Sequence, residues 1–278
     1  MIDIRQSPEY ADYLRREGWI VERINGVNYF LRKLPLIGYL LKIQRPKKID
    51  FEEIDKLCRK YHVFQIILEP KNGSQAPEIK ANGFKLGKSP YLPSKTLEID
   101  LRKSEKEIFG GFKKDARQAI RKGSDLKISE YSTPKDIKIW REGWKNSVNF
   151  KRYVPGTWQL INLRKSFPNN HSLFIASHNI FSRIIGGALF TTSSHDGVAY
   201  YWYGFTNSEG RSTLSQYPLL YQGILWAKSQ GCKKFDFEGI YDPRFPNKSW
   251  LGFSHFKRSF GGTEVTYPGC YTKIRLPI

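Results

Sequence analysis

Hydrophobic positions along the chain follow the periods of strands and of helices in alternation. Apolar runs with turn residues between them predict strands at NYFLRKL, YLLKIQRP, VFQIILEP and KTLEIDL, and helices are predicted around residues 8–18 and 51–61. After residue 125 the alternation begins again, with a strand, two helices, three strands and a helix over residues 215–230. A strand at KKFDFEGI, a short helix at SWLGFSHFKRSF and a closing hairpin or strand pair follow. The pattern predicts an α/β fold with mixed sheets and two domains, residues 1–125 and 126–278.

The segment 104–122 is predicted to be one basic amphipathic helix. Ser104 followed three residues later by Glu107 is the signature of a capping box. A solvated face and an anion-binding face are both compatible with the basic side of this helix. The apolar stripe consists of Ile108, Phe112, Ala116 and Ile120, and the opposite side carries Lys113, Lys114, Arg117 and Arg121.

Composition adds a strong charge to this picture. The chain of 278 residues has a formal net charge of +20, which predicts an anionic partner such as nucleic acid, an anionic lipid surface or a phosphorylated substrate. A charge that serves only solubility is the alternative. The most apolar run, residues 34–43, is too short for a membrane span, and the N-terminus lacks a signal-peptide pattern. Three distant cysteines favour a reducing cytoplasm, so a soluble cytoplasmic protein is predicted, with peripheral contact at the inner membrane face compatible with its charge.

Several kinds of site have no support in the sequence. The five histidines are scattered, without HExxH or Cys-His clusters, so no metal is expected. A GxSxG elbow and a P-loop are both missing, and neither a covalent nucleophile nor a bound cofactor is expected.

Two candidate constellations lie on predicted strands. In YYWYGF, strict alternation places Tyr201, Tyr203 and Phe205 on one face of the strand. A strand buried on both faces is the simpler interpretation, although tyrosine hydroxyls at its end can line a polar groove. In FDFEGI, Asp236 and Glu238 share a face next to a glycine turn, where they can orient an amine, act as a base or balance nearby positive charge.

The third candidate is Lys257 in the segment HFKRSFGG. Its neighbours Phe253, Phe256 and Phe260 are aromatic, and composition alone favours a lysine that extends outward to water. Held in a dry cleft instead, the ammonium group can stabilise an oxyanion, with a contribution on the order of 3 kcal/mol.

The motifs FDFEGI and FKRSFGG, in this order, resemble those of the FemABX family of peptidyl aminoacyltransferases, and KTLEIDL followed by FKKDARQAIRKG resembles the mid-chain strand and basic helix of that family. The resemblance covers residues 95–278, and residues 1–94 in outline. It implies two GNAT-like domains with a substrate groove between them. It also implies an aminoacyl-tRNA donor and an acceptor muropeptide carried on a lipid or nucleotide diphosphate.

The resemblance also assigns roles to residues. Lys257, next to Phe256 in the motif, corresponds to the lysine associated with the transition state of transfer, and Asp100 and Arg152 correspond to acceptor-binding positions. Tyr203, Asp236 and Glu238 are expected to bind substrate. The long coiled-coil arm of some family members is missing, so tRNA contacts are expected from the globular surface. These contacts are assigned to Lys113, Lys114, Arg117 and Arg121.

Two other functions are compatible with parts of the sequence. A GNAT N-acetyltransferase that uses acetyl-CoA requires a glycine-rich pyrophosphate loop after the aromatic strand, but the segment NSEGRSTLSQ has one glycine and does not fit. A non-enzymatic RNA-binding module would use the basic helix and exposed aromatic residues, and Lys257 would then have no chemical role.

Overall fold

A computed structural model of the chain describes residues 2–148, 152–168, 170–193 and 197–275. Within these ranges the strands form two sheets, one of six strands and one of seven. Both sheets contain parallel and antiparallel pairs, so the predicted α/β fold with mixed sheets is confirmed. The strands, in chain order, are β1 (Ile20–Ile24), β2 (Val27–Leu34), β3 (Gly38–Gln44), β4 (Val63–Glu69), β5 (Lys85–Leu86), β6 (Lys95–Asp100), β7 (Lys127–Glu130), β8 (Ser172–His178), β9 (Ile184–Thr192), β10 (Val198–Thr206), β11 (Lys234–Asp236), β12 (Thr263–Thr266) and β13 (Tyr271–Ile274).

The helices bury one side against the faces of these sheets. Some of the longer ones begin at a capping residue, as at Asp50 and Thr133, whose side chains accept hydrogen bonds from backbone N–H groups of the first turn. Short 3₁₀ turns occur at Ile4–Gln6, Gly73–Gln75 and Lys248–Trp250. The α-helices are α1 (Pro8–Arg16), α2 (Phe51–Tyr61), α3 (Ala76–Ala81), α4 (Glu105–Gly110), α5 (Lys114–Lys122), α6 (Pro134–Ser147), α7 (Thr157–Ser166), α8 (Ser208–Ser212), α9 (Gln216–Ser229) and α10 (Leu251–Arg258).

The strand order shows that the two halves of the chain exchange strands. The first sheet has the order β1-β2-β3-β4-β13-β5, and the second has the order β12-β6-β11-β10-β9-β8-β7. Strand β6 precedes residue 125 but lies in the second sheet, whereas β13 comes from the far end of the chain and lies in the first. The division into domains at residue 125 stays a prediction, and sheet membership does not follow that single cut.

Two local predictions are wrong because tertiary contacts override them. Strands β12 and β13 do not pair with each other as the predicted hairpin requires: β12 pairs with β6, while β13 pairs with β4 and β5. The predicted helix over residues 104–122 is divided into α4 and α5. The backbone at Lys113 is extended, and its N–H donates to the Ser259 carbonyl at 2.8 Å. The capping box at Ser104 and Glu107 is confirmed.

Three hydrophobic clusters hold the sheets and helices together. Helices α4, α5 and α9 cover one face of the second sheet, and α1, α6 and α7 cover the other. A third cluster packs α2 and α3 against the first sheet. The N-terminal 3₁₀ turn is buried where the two sheets meet, with the Ile4 N–H donating to the Tyr200 hydroxyl of β10. Both faces of the second sheet are therefore covered, and a site can open only at its edges and strand ends.

Candidate active site

The principal cavity opens where β10 and β11 separate. These two strands pair in parallel only from Val198 to Tyr200, after which β11 ends while β10 continues to Thr206. The chain leaving β11 turns away through Glu238, whose φ is 55°. The resulting cavity has a volume of about 630 Å³, and its wall comes from α6, β10, α8, the start of α9, the loop after β11 and α10.

A β-bulge at Trp202 determines on which face of the second sheet the side chains of β10 near this cavity lie. Tyr201 is paired with Phe190, and the next pair joins Tyr203 to Leu189, so Trp202 is the extra residue. Tyr203 consequently packs on Trp144, with ring centroids 5.1 Å apart, while Tyr201 stacks on Phe190 across the sheet at 5.6 Å. The predicted common face of Tyr201, Tyr203 and Phe205 is wrong, because strict alternation fails at a bulge.

Gly204 makes room for the hydroxyl group of Tyr201. A Cβ at position 204 would lie 1.8 Å from Tyr201 Oη, so no other residue fits there without moving the tyrosine. Gln216, at the start of α9, donates from Nε2 to the same hydroxyl oxygen at 2.8 Å. Burial raises the pKa of Tyr201, so its O–H keeps its proton. The arrangement leaves a hydroxyl donor at the cavity wall.

Lys257 is buried at the wall of this cavity, with 8% of its surface exposed. Its Nζ donates to the carbonyl oxygens of Phe237 and Gly239 at 2.6 and 2.7 Å, which uses two of the three N–H groups of the ammonium. The rings of Tyr201 and Phe253 lie 5.5 and 5.0 Å from Nζ. Burial lowers the pKa of Lys257 to about 8, against the opposing effect of the Glu238 and Asp236 carboxylates. The lysine is therefore held in the cavity wall and does not extend into bulk water.

The loop after β11 is fixed in the position that Lys257 requires. Gly239 has a φ of 110°, and a Cβ there would lie 2.8 Å from Pro93 and 2.9 Å from Trp250. The hydroxyl of Ser254, on α10, accepts from the Tyr241 N–H at 2.6 Å. This hydrogen bond joins the loop to α10 one turn before the lysine. Glycine at position 239 is what allows the carbonyl oxygen to approach Nζ.

Arg5 also belongs to this site, although no sequence pattern points to it beyond its place among the N-terminal acids. The guanidinium is buried and forms a two-point ion pair with Glu238, one contact being Nη1 to Oε1 at 2.9 Å. Asp3 bridges Arg5 and Arg45, at 3.3 and 3.0 Å. Burial alone would raise the pKa of Asp3, but the two arginines outweigh it and lower that pKa. Glu238 therefore lines the cavity in an orientation set by the N-terminal turn.

Asp236 and Glu238 lie in two different cavities. Asp236 is buried, lines a second cavity of about 460 Å³, and accepts hydrogen bonds at Oδ1 from the Thr96 hydroxyl and from the Glu238 N–H. Burial, and next the charge of Glu238, raise the pKa of Asp236 to about 7. The shared face predicted for the two acids is not found, because β11 ends between them.

Of the other predicted site residues, some line the cavity of Lys257 and one does not. Arg152, Tyr203 and Phe256 line the cavity of Lys257, and burial raises the pKa of Tyr203 to about 12. Asp100 lies elsewhere, since β6 runs antiparallel to β11 and Asp100 is opposite Lys234, at the start of β11. Its carboxylate pairs with Arg102 at 2.7 Å, and hydrogen bonds from Arg102 lower its pKa. Asp100 and Lys257 are therefore at opposite ends of the same strand pair.

The basic residues around α5 do not form one uniform group. Lys113, Lys114 and Arg121 are exposed, whereas Arg117 folds back and donates to the carbonyl oxygens of Gly110 and Phe112. Helix α5 packs along α9, and Gly123, at its end, lies against Pro218 of α9. Three exposed cations thus lie beside the helix whose first turn borders the cavity.

The segment between β10 and α9 does not form a phosphate-binding loop. It contains α8, and several of its backbone N–H groups are already used: those of Arg211, Thr213 and Ser215 donate to Asn207, Glu209 and Gly210 carbonyl oxygens at 2.9 to 3.0 Å. The Asn207 side chain accepts from the Gly210 N–H. Because a pyrophosphate site at a helix start requires free N–H groups, this segment does not fit coenzyme A.

Other chemistry finds no support in the described ranges. Within them, no three His, Cys, Asp or Glu side chains come together as a metal site would require. The cysteines Cys58, Cys232 and Cys270 are buried thiols. None of the helices described has the length and apolar character needed to cross a bilayer.

The fold of this chain resembles that of solved tandem GNAT-like proteins. A tandem GNAT protein from the clavulanic acid biosynthesis pathway superposes with a TM-score of 0.56 and 11% identity, over 92% of this chain and 82% of that chain. The crystal structure of FemX superposes with a TM-score of 0.81 and 16% identity, over 98% of this chain and 92% of that chain. The predicted FemABX-like fold of two GNAT-like domains is therefore confirmed.

A third similar structure is the C-terminal domain of a putative lysylphosphatidylglycerol synthetase from Agrobacterium fabrum. Its TM-score is 0.64 at 12% identity, over 98% of this chain and 89% of that chain. Because the sequence identities are only 11% to 16%, these three structural similarities establish the fold alone. No family model matches the sequence, and no curated protein sequence does either.

Proposed function

We propose that this protein is an aminoacyltransferase that moves an amino acid from aminoacyl-tRNA to the stem-peptide amine of a peptidoglycan precursor. The observation that carries the proposal is the buried ammonium of Lys257 at the wall of the main cavity. The fold shared with FemX and the two motifs around this lysine support the same assignment.

The reaction needs no covalent intermediate on the enzyme. A neutral amine of the stem peptide attacks the ester carbonyl that joins the amino acid to the tRNA ribose, and a C–N bond forms. The carbonyl oxygen becomes a tetrahedral oxyanion. When this intermediate collapses, the ester C–O bond breaks, and the ribose oxygen leaves with a proton that comes from the attacking amine. Positioning and charge stabilisation then supply most of the rate enhancement.

Lys257 is suited to stabilise that oxyanion. The carbonyl oxygens of Phe237 and Gly239 fix Nζ in place, and the third N–H group is left for a ligand in the cavity. With a pKa of about 8, the amine is mostly protonated at neutral pH. A fixed donor in a water-poor site contributes about 3 to 4 kcal/mol to transition-state stabilisation.

The surroundings suit two polyanionic substrates. Arg152 and Arg211 line the cavity and are exposed, so they can meet the diphosphate of the acceptor. Lys113, Lys114 and Arg121 lie beside α9, where they can bind the tRNA backbone. Tyr203 and Glu238 are positioned to contact the acceptor peptide. Asp236 and Asp100 are left out of this proposal, because neither lines the cavity of Lys257.

The direct experiment is incubation with charged tRNA and a muropeptide precursor, followed by mass analysis of the product. We expect the acceptor to gain the mass of one amino-acid residue, and no acetyl group when acetyl-CoA replaces the tRNA. Acetylation without aminoacyl transfer would favour the GNAT N-acetyltransferase function. RNA binding without either transfer would favour the binding module.

The Lys257→Met variant tests the mechanism within the same assay. Transfer is expected to fall by at least about a hundredfold, because the oxyanion loses its charged donor. Lys273→Met is the matched control, since Lys273 also donates to a carbonyl oxygen, that of Asn82, but on β13 of the first sheet. Near-normal turnover in a folded Lys257→Met protein would remove this lysine from the mechanism.

A further inference from the structure

Exposed apolar side chains lie at the Lys257 cavity and on two segments next to its wall. Leu214 and Phe253 line the cavity and are both exposed to solvent. Leu251, two residues before Phe253 on α10, is 50% exposed. Ile180 and Phe181, in the turn between β8 and β9, are 91% and 74% exposed. We call these five residues the apolar rim.

The turn that carries Ile180 and Phe181 is attached to the cavity wall. Asn179 donates from Nδ2 to both carboxylate oxygens of Glu209, each at 3.0 Å, and Glu209 lies on α8. The chain leaving α8 leads directly to Leu214. Exposed apolar side chains therefore lie on α10, which lines the cavity, and on a turn that is hydrogen-bonded to α8, which also lines it. Single exposed apolar residues are ordinary on protein surfaces, but a group around a cavity mouth indicates a binding surface.

Cations accompany the apolar rim. Arg152 and Arg211 line the cavity mouth, Arg183 lies in the turn with Ile180 and Phe181, and Lys248 precedes α10. All four are exposed, and within the described ranges no acid forms an ion pair with them. The neighbouring Glu209 is engaged by Asn179. This surface thus combines aliphatic and aromatic side chains with unneutralised positive charge, on a chain whose formal net charge is +20.

We propose that the apolar rim docks the protein on an anionic membrane surface, with the cavity mouth facing the lipid. Apolar side chains gain free energy when they enter the interface of a bilayer, and nearby arginine and lysine residues are attracted to acidic headgroups. RNA suits this surface less well, because three of its five apolar side chains, Ile180, Leu214 and Leu251, offer no ring on which a base can stack.

Docking in this orientation specifies the acceptor more closely. A precursor carried on a lipid diphosphate would present its peptide at the cavity mouth while its lipid chain stays in the bilayer. This step rests on the proposed function, whereas the docking surface follows from the exposed residues alone. The lipid-linked precursor is therefore the preferred acceptor over the nucleotide-linked one.

Sedimentation with lipid vesicles tests the docking surface without any activity. We expect the protein to bind vesicles of equimolar phosphatidylglycerol and phosphatidylcholine, and to bind pure phosphatidylcholine weakly. The double variant Ile180→Ser with Phe181→Ser should weaken binding to the anionic vesicles by about tenfold or more. Leu36→Ser with Ile37→Ser is the matched control, because these two are also exposed apolar neighbours in a strand-to-strand turn, but in the first sheet.

The outcomes separate the alternatives. Absence of binding to anionic vesicles, or equal weakening by the control variant, would overturn the proposal. Weaker tRNA binding by Ile180→Ser with Phe181→Ser, without a change in vesicle binding, would identify the apolar rim as an RNA surface and also overturn it. Melting temperatures of both variants near that of the parent protein would establish that folding is unchanged.

Transfer assays then distinguish this proposal from the function on which it rests. The Ile180→Ser with Phe181→Ser protein should lose transfer to a lipid-linked acceptor in vesicles and keep transfer to a soluble nucleotide-linked acceptor. Equal loss with both acceptors would overturn docking as the role of the apolar rim. If the parent protein binds anionic vesicles but transfers nothing, the proposed function fails and the docking surface stands.

Discussion

The protonation state of Lys257 changes near pH 8, because its pKa is about 8. Lys257 owes its low pKa to burial first, while the Glu238 and Asp236 carboxylates oppose the shift. The ammonium is the form that stabilises an oxyanion, so its contribution is present below pH 8 and is lost as the pH rises through that value.

The pH dependence of transfer checks this assignment. We expect kcat/KM to fall above a pH of about 8, with an acidic limb set by the attacking amine, which must be neutral. Glu238→Gln removes the main charge that holds the Lys257 pKa up, so the alkaline limb should move to lower pH. An alkaline limb that persists unchanged in residual activity of Lys257→Met would assign the titration to another group.

At the residue scale, the sequence predicts those parts of the site that a motif fixes. Lys257 and Phe256 follow from FKRSFGG, and both line the cavity. Arg5 could not be predicted, because its partner Glu238 is 233 positions away in the chain and only the meeting of the two sheets brings them together. Asp100 was assigned through a resemblance at one end of β6, but the antiparallel pairing with β11 places it away from the cavity.

At the element scale, periodicity predicts where most strands and helices lie but does not show where they break. The helix over residues 215–230 and the short helix before Phe260 are close to α9 and α10. The bulge at Trp202 cannot be predicted from the sequence, because the aromatic residues around it all favour a strand. The break at Lys113 comes from a hydrogen bond to Ser259, which no local pattern can reveal. Both irregularities help to shape the surroundings of the site.

Helix α5 supports a prediction about tRNA. Changing Lys114 and Arg121 to Gln should weaken tRNA binding and reduce the salt dependence of log K by about 2, since two phosphate contacts are lost. Arg117 is left unchanged, because it holds the carbonyl oxygens of Gly110 and Phe112. Binding measured by filter retention at several salt concentrations gives the slope.

A charge-matched control uses α2, which packs on the first sheet. Lys56→Gln with Arg59→Gln removes the same charge from a helix whose exposed side does not border the Lys257 cavity. In this control variant the salt dependence of log K for tRNA binding should change far less. Equal effects of the two double variants would indicate that tRNA responds to net charge rather than to α5.

At the scale of the whole molecule, the two sheets are joined by buried charges as well as by apolar packing. Arg5 and Asp3, from the N-terminal turn, connect Arg45, which follows β3 of the first sheet, with Glu238, which follows β11 of the second. Removing one partner of a buried ion pair strongly destabilises a protein, because the remaining buried charge is left uncompensated.

Arg5→Met tests this connection. It leaves Glu238 without its two-point partner and Asp3 with one arginine, so the free energy of unfolding should fall by about 3 to 5 kcal/mol. Urea unfolding followed by tryptophan fluorescence measures the change. Arg16→Met is the control, because Arg16 pairs with Asp12 on the surface and should cost less than about 1 kcal/mol. A loss of similar size in both variants would show that the buried network contributes no more to stability than the surface ion pair of Arg16 and Asp12.

The place of β13 has a consequence for biosynthesis. This strand is made after the other described strands, yet it lies between β4 and β5 and completes a layer whose other members leave the ribosome some two hundred residues earlier. Until translation reaches Tyr271, the edge of β4 is without its neighbour and is open to wrong pairing with other nascent chains. Premature termination upstream of this point would therefore damage the amino-terminal half of the molecule, where no residue had been removed.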